Sequence, residues 1–140
     1  MSTTSDAPLA GRRALVTGGS RGIGAATVRR LAADGAAVAF TYQSSPDAAQ
    51  DLVDELEASG AKVAAIKADS ADALAVAAAV DEAVERLGGL DILVNNAGVA
   101  QGAPIESFPL EDFDRMLDIN VKAVFAAIQR AVPHLGAGGR

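Results

Sequence analysis

The amino-acid sequence predicts an α/β protein built on a doubly wound parallel sheet, and three observations support this fold class. Short apolar stretches alternate with segments of helical periodicity from Arg13 onward. The connections between them are short and rich in glycine. Half of the 140 residues are hydrophobic but only 4% are aromatic. The dominance of alanine and valine suits helices packed closely on a sheet.

Four strands are predicted, over residues 13–17, 36–42, 62–68 and 90–95. Each strand is apolar through its centre, as is typical of strands covered by helices on both faces. Because helical segments connect the strands, we expect a parallel sheet with right-handed crossovers. A switch point at the first glycine-rich loop then predicts the strand order 3-2-1-4.

Four helices are predicted, and the first two have clear end signals. The first covers residues 22–33, with Gly35 as its C-cap. The second has Ser45 as N-cap, Pro46 at its first position and Gly60 at its end. The inward stripe of the first helix is expected to hold Ile23, Thr27, Val28 and Leu31.

The third helix is predicted to be capped by Ser70 and to end before Gly88. A loop over residues 98–108 then leads to a long fourth helix from about residue 109 to about residue 133. Asn120 lies on a stripe of this helix that is expected to be buried. The other members of that stripe are Phe113, Met116, Leu117, Val124 and Ile128.

Charge and composition argue against several classes of function. The formal net charge of −6 disfavours a broad contact with nucleic acid. There is no cysteine, and we expect no metal site. No apolar run approaches the roughly 20 residues that span a bilayer. We therefore expect a cytoplasmic protein without a membrane partner, with a flexible tail over residues 1–11 and one domain over residues 12–140.

A glycine-rich segment joins the first strand to the first helix and reads Thr17-Gly18-Gly19-Ser20-Arg21-Gly22-Ile23-Gly24. A pyrophosphate that approaches the N-terminus of a helix requires glycine where side chains would block the unpaired amides. Gly18 permits the turn, Gly22 lets the backbone reach the phosphates, and Gly24 allows close packing. A merely tight turn is the alternative. The place of the segment in the first strand–helix unit favours a Rossmann-type dinucleotide site.

The spacing of this segment resembles the cofactor loop of the short-chain dehydrogenases/reductases, Thr-Gly-x-x-x-Gly-Ile-Gly. The stretch Asn95-Asn96-Ala97-Gly98 resembles the second motif of that family. Asp69, followed by Ser70, stands where the family places an aspartate against the adenine ring. Residues 118–121 resemble the segment that carries the helix asparagine. The resemblance runs from about residue 13 to residue 140. Within the family, the sequence is similar to the subgroup of 3-oxoacyl-carrier-protein reductases.

The resemblance implies roles for two asparagine-containing segments. The backbone from Asn96 to Gly98 would line the ribose on the nicotinamide side, and Asn120 would help to hold a water linked to a catalytic lysine. From the residues alone, internal hydrogen bonds are the favoured explanation of Asn95 and Asn120, and the family resemblance reverses this preference for Asn120. The family's catalytic serine, tyrosine and lysine are absent, and Tyr42 has no lysine four residues later. The isolated chain is therefore predicted to be inactive.

The end of the second strand predicts the cofactor preference. Domains that prefer NAD place an acid there, whereas Tyr42, Ser44 and Ser45 are followed by an acid only at Asp47. Arg21 is placed to attract a 2′-phosphate, and a solvated arginine is the alternative. We expect NADP(H) to be preferred over NAD(H). The candidate cofactor-binding residues are Gly18, Ser20, Arg21, Gly22, Ile23, Gly24, Tyr42, Ser44, Ser45, Asp69, Ser70, Asn96, Ala97 and Gly98.

The leading interpretation is the cofactor-binding portion of an NADP(H)-dependent oxidoreductase that acts on a small carbonyl or alcohol substrate. The alternative is a non-catalytic NADP(H)-binding module or partner subunit. A flavodoxin-like or receiver-type domain would share the alternating pattern, but its phosphate-loop or acidic-pocket residues are missing. The exposed edge of the fourth strand, with one face of the long helix, predicts a homo-oligomer.

Overall fold

The sheet has four parallel strands in the predicted order. The computed structural model describes residues 7–140 of the chain. Its strands are β1 (Arg13–Val16), β2 (Ala37–Tyr42), β3 (Val63–Lys67) and β4 (Ile92–Val94), and they lie in the order β3-β2-β1-β4. All three strand pairs are parallel, so the carboxyl ends meet at one edge of the sheet. The doubly wound fold class is confirmed.

Helices cover both faces of this sheet. Helices α1 (Gly22–Ala33) and α2 (Pro46–Ala58) pack on one face, and α3 (Ala73–Leu87) packs on the other with the fourth helix. Side chains of the strands point alternately to the two faces. Leu15 therefore belongs to the core under α3, whereas Phe40 belongs to the core under α1 and α2.

The fourth helix is interrupted. After a 3₁₀ turn (Ile105–Ser107) in the preceding loop, it forms as α4 (Leu110–Leu117), a π turn (Asp118–Lys122) and α5 (Ala123–Ala131). A further 3₁₀ turn (Val132–His134) follows. The unbroken helix expected over this region is therefore divided by a π turn at its centre.

The buried stripe predicted for this helix is wrong. Asn120 is exposed, and Met116 and Val124 are only half-buried. Phe113, Leu117 and Ile128 remain 44–46% exposed. The buried face consists instead of Ile119, Ala123, Ala127 and Ala131. Alanine is small enough to let α5 lie close against α3, so the smallest side chains form the packed face and the larger ones stay outside.

Three helix ends differ from the predicted capping pattern. Ser45 precedes α2 as expected, but its side chain makes no capping hydrogen bond. Asp72, not Ser70, caps α3, because its carboxylate accepts from the amides of Leu74 and Ala75. A carboxylate at this position also interacts favourably with the helix dipole. The C-cap of α1 is Asp34, and the left-handed residue Gly35 (φ 97°) follows it.

The amino-terminal segment is described from Ala7 onward. Residues 7–11 form turns in which the Leu9 amide donates to the Asp34 carbonyl oxygen (2.8 Å) and the Leu9 side chain packs beside α1. The rest of the predicted flexible tail, residues 1–6, lies outside the described residues. Within residues 7–140, no helix has the length and apolar character required to cross a membrane.

An ion pair ties β1 to β4 at their amino ends. Arg13 donates from its backbone amide (2.9 Å) and from Nε (2.8 Å) to Oδ2 of Asp91. These hydrogen bonds, led by the one from the side chain of Arg13, hold the pKa of Asp91 below its usual value. On the outer side of β4, the Arg140 amide donates to the Asp91 carbonyl oxygen and the Leu93 amide donates to the Arg140 carbonyl oxygen. Arg140 therefore pairs with the edge of β4.

A second set of hydrogen bonds joins the carboxyl ends of the same two strands. Asn96 Nδ2 donates to the carbonyl oxygens of Thr17 (3.1 Å) and Gly18 (2.9 Å). The backbone amides of Asn96 and Ala97 both donate to Thr17 Oγ1, at 3.1 Å. We call Thr17, Gly18, Asn96 and Ala97 the strand-end clamp. Both amide hydrogens of the Asn96 side chain are used in it.

Replacement of Asn96 by aspartate tests this clamp. In the Asn96→Asp variant a carboxylate faces two carbonyl oxygens that have lost their donors. We expect the free energy of unfolding in urea to fall by about 2–4 kcal/mol, because two hydrogen bonds are lost and two acceptors are left unpaired.

Asn95→Asp is the matched control, since it adds the same charge at the neighbouring residue. Asn95 is exposed, and its side chain forms no hydrogen bond within residues 7–140. We expect the control to change stability by less than about 0.5 kcal/mol. Equal losses in the two variants would show that charge, rather than the clamp, is responsible.

Candidate functional site

A cleft with a volume of about 540 Å³ opens along the carboxyl ends of the strands. Five parts of the chain form its walls: the glycine loop, the end of β2, the start of the β3–α3 connection, the loop after β4, and the fourth helix. The lining residues are Gly18, Ser20, Arg21, Gly22, Ile23, Gly24, Thr41, Tyr42, Gln43, Ser44, Ser45, Ser70, Asn96, Ala97, Gly98, Val99, Arg115 and Ile119. All the predicted cofactor-binding residues except Asp69 are among them.

The glycine loop has room for a ligand at one position and none for a side chain at another. A Cβ atom on Gly22 would meet nothing within 4 Å, and its φ of 56° is one that side chains rarely adopt. A Cβ on Gly24 would overlap the carbonyl oxygen of Gly18. The loop thus brings the first amides of α1 to the open cleft, which is the arrangement that accommodates a phosphate at a helix N-terminus.

Sequence reasoning missed two residues that hold this loop in place. The Gly18 amide donates to Oγ1 of the buried residue Thr41 (2.9 Å), at the end of β2. A Cβ on Gly19 would overlap the side chain of Phe40, so Gly19 is needed for packing on the second strand. The only sequence signals were the doubled glycine and a hydroxyl residue within an apolar strand.

Arg21 lies at the N-cap position of α1, and its side chain is exposed. It shares the cleft with Ser44 and Ser45, which follow β2. Arg21 forms no ion pair or side-chain hydrogen bond within residues 7–140. Asp47, the first acid after β2, is outside the lining, and no described aspartate or glutamate belongs to the cleft walls. The walls are therefore positively charged, although the chain carries a net charge of −6.

One predicted residue takes a position other than the one expected, and another lies outside the cleft lining. Ile23 is 80% exposed, so its assignment to the inward stripe of α1 is wrong. It lies in the first turn, where the helix faces the cleft instead of the core. Asp69 is exposed and does not line the cleft, whereas Ser70 does. Oδ1 of Asp69 accepts from the Ala71 amide (2.8 Å), which shapes the turn before α3.

Asn120 holds the loop after β4. Its Nδ2 donates to the Val99 carbonyl oxygen (2.7 Å), and its Oδ1 accepts from the Val99 amide (2.9 Å). The side chain lies outside the cleft lining, although Ile119 beside it is part of that lining. The observed contacts of this amide are therefore structural, and they connect the π turn to the loop that carries Asn96.

Comparison with known proteins agrees with this geometry. A profile described as short chain dehydrogenase matches residues 12–140. Elsinochrome reductase 1 of Elsinoe fawcettii is 42% identical over 132 residues, which cover 94% of this chain and 49% of that protein. The chain thus spans about half the length of the curated relatives it matches.

Solved structures agree over the same region. A short chain dehydrogenase from Burkholderia cenocepacia in complex with NADP is 57% identical, with a TM-score of 0.92 over 94% of this chain and 54% of that one. A blue fluorescent protein from a metagenomic library in complex with NADPH is 54% identical, with the same TM-score and the same coverage of both chains. Because the family profile matches residues 12–140, this chain belongs to the short chain dehydrogenase family.

Proposed function

We propose that this chain binds NADP(H) and forms the cofactor-binding part of an oxidoreductase that acts on a small carbonyl or alcohol substrate. The observation that carries the proposal is a cleft at the carboxyl edge of the sheet, lined by a glycine loop and by arginine, with no acid among its described residues. Two similar solved structures are complexes with NADP or NADPH. A similar curated protein is named as a reductase.

The cleft residues fit such a cofactor from end to end. The first amides of α1 face the position for the pyrophosphate, where the helix dipole favours negative charge. The backbone from Asn96 to Gly98 would line the ribose next to the nicotinamide, and the strand-end clamp orients this backbone. When bound, the nicotinamide supplies the hydride donor or acceptor. The chain's own residues bind and orient it.

The residues after β2 suit a phosphorylated ribose. Arg21 supplies a positive charge, and Ser44 and Ser45 supply hydroxyl donors on the same wall. A carboxylate at this position would bind the 2′-hydroxyl and repel a 2′-phosphate, so its absence from the described lining favours NADP(H). A charge-assisted hydrogen bond contributes about 1.5–3 kcal/mol.

The Arg21→Ala variant tests the cofactor preference. We expect the parent chain to bind NADPH at least about tenfold more tightly than NADH, in fluorescence titrations of both cofactors. The variant is expected to lose most of this ratio through weaker binding of NADPH, with NADH little changed. Arg12→Ala removes the same charge from an exposed arginine outside the cleft and serves as the control. A variant that keeps the parent's ratio would contradict the role of Arg21.

A second candidate function is that of an NADP(H)-binding module without catalysis of its own. The observation in its favour is that Tyr42, the one tyrosine of the chain, lies at the end of β2 with no lysine four residues later. The tyrosine–lysine pair that the family resemblance implies for acid–base chemistry therefore has no counterpart in this sequence.

We expect the chain by itself to bind NADPH without oxidising it. Incubation with NADPH and a panel of aldehydes and ketones should leave the absorbance of the reduced cofactor unchanged beyond the uncatalysed rate, because no tyrosine–lysine pair protonates the substrate oxygen. Turnover that follows the chain through size-exclusion chromatography would overturn this expectation.

We further propose that the protein assembles as a homo-oligomer through the outer face of its fourth helix. The apolar residues of this exposed helix face recur every three or four positions, and each is at least 44% exposed. They are Leu110, Phe113, Leu117, Val121, Phe125, Ile128 and Val132. An apolar surface of this kind is typical of an interface.

The cytoplasmic location expected from the sequence stays a prediction.

Phe125→Glu is expected to shift the chain toward the monomer in multi-angle light scattering, since it places a charge in the middle of the exposed helix face. Leu74→Glu is the matched control: Leu74 is 83% exposed on α3, away from this face. A parent chain that is monomeric at all accessible concentrations would refute the proposed association.

A further inference from the structure

Arg115 is the second charged residue of the cleft, and its role is not explained by the 2′-phosphate. It lies on α4, one turn before Ile119. Five other arginines form ion pairs with carboxylates, whereas Arg115 forms none within residues 7–140. Asp112, its neighbour on the same helix, instead accepts from Gln101 Nε2 (2.9 Å). Arg115 therefore lines the cleft without a carboxylate partner among the described residues.

The surroundings of Arg115 differ from those of Arg21. The glycine loop and the residues directly after β2, which share the cleft with Arg21, contribute four hydroxyl or amide side chains to the lining: Ser20, Gln43, Ser44 and Ser45. Near Arg115, the fourth helix and the loop after β4 contribute Ile119 and Val99 to the lining. A phosphate requires several hydrogen-bond donors around it, and the residues that share the cleft with Arg21 offer them. A flat aromatic ring requires apolar contacts and a planar partner, and Val99, Ile119 and Arg115 offer these.

The neighbours of the base are those that the family resemblance implies. With the pyrophosphate at α1 and the 2′-phosphate at the end of β2, the resemblance implies an adenine beside Asp69, in the loop that follows β3. Ser70 of that loop lines the cleft together with Arg115. Ile119 also borders a small cavity with Ser70 and Ala97, so the fourth helix reaches across to this loop.

We propose that Arg115 binds the adenine of the dinucleotide by stacking its guanidinium on the purine ring. This inference rests on the proposed binding of NADP(H). A guanidinium is planar and weakly hydrated, and it stacks on aromatic faces better than an ammonium does. Arg21 and Arg115 then divide the recognition of one nucleotide, with the first binding its phosphate and the second its base.

The proposal separates two ligands that differ by one phosphate. Adenosine 2′,5′-bisphosphate and adenosine 5′-monophosphate share the base, and only the first carries the 2′-phosphate. Their affinities are measured by competition against bound NADPH, followed by its fluorescence. We expect Arg115→Ala to weaken both nucleotides by the same factor, about two- to fivefold. Arg21→Ala should weaken the bisphosphate far more than the monophosphate.

Two further variants distinguish stacking from charge. Arg115→Phe keeps a planar surface without the charge and is expected to retain most of the parent affinity for both nucleotides. Arg115→Lys keeps the charge without the plane and is expected to resemble Arg115→Ala. Arg115 is exposed, so all three variants should unfold at the temperature of the parent.

Three results would overturn the assignment. An unchanged affinity in Arg115→Ala would show that the residue does not contact the nucleotide. A loss confined to the bisphosphate and restored by lysine would identify a phosphate contact instead. Failure of the parent chain to bind NADPH or either nucleotide would refute the proposed function and this inference together, whereas the first two results leave the proposed function intact.

Discussion

The contact between the carboxyl ends of β1 and β4 is the constraint on which the cleft depends. Asn96 donates both amide hydrogens of its side chain to the carbonyl oxygens of Thr17 and Gly18, and Thr17 in turn accepts two backbone amides through its hydroxyl. These bonds determine where the glycine loop leaves the first strand. Thr41 adds a bond to the Gly18 amide from the other side. The loop is thus held from both neighbouring strands, and its open face is left for a ligand.

The distribution of arginines separates those that pair with carboxylates from those that line the cleft. Arg13, Arg29 and Arg130 each pair with a carboxylate, and the hydrogen bonds from these arginines lower the pKa of the partner acids, Asp91, Glu55 and Asp81. Arg21 and Arg115 have no such partner within residues 7–140, and they are the two charged residues of the cleft. In a chain with a net charge of −6, unpaired cations gathered in one concave site create a local attraction for anions that the chain as a whole does not have.

The fold could be predicted almost completely from the sequence, because apolar strands, glycine turns and helical periodicity all indicate the same topology. The glycine loop and the Asn96–Gly98 stretch were also predicted, since local spacing determines them. The larger errors came from contacts between distant segments, whereas the errors at Ile23 and at the helix caps were local. The buried face of the fourth helix is determined by the close approach of its alanines to α3. A prediction that assigns the largest apolar side chains to the core does not detect such a face. Arg115 reaches the cleft through the tertiary position of α4, so no local pattern marks it.

The π turn connects the position of Arg115 in the cleft with the packing of α5 on α3. It lies between α4, which carries Arg115 into the cleft, and α5, whose alanines pack on α3. An extra residue in a helical turn changes the direction of the side chains on either side of it. Asn120 in this turn binds both backbone groups of Val99, so the loop after β4 is attached to the helix at the same point. The packing of α5 on α3 therefore also positions Arg115, Ile119 and the loop after β4. The shape of the cleft is thus determined by the packing of the core beneath it.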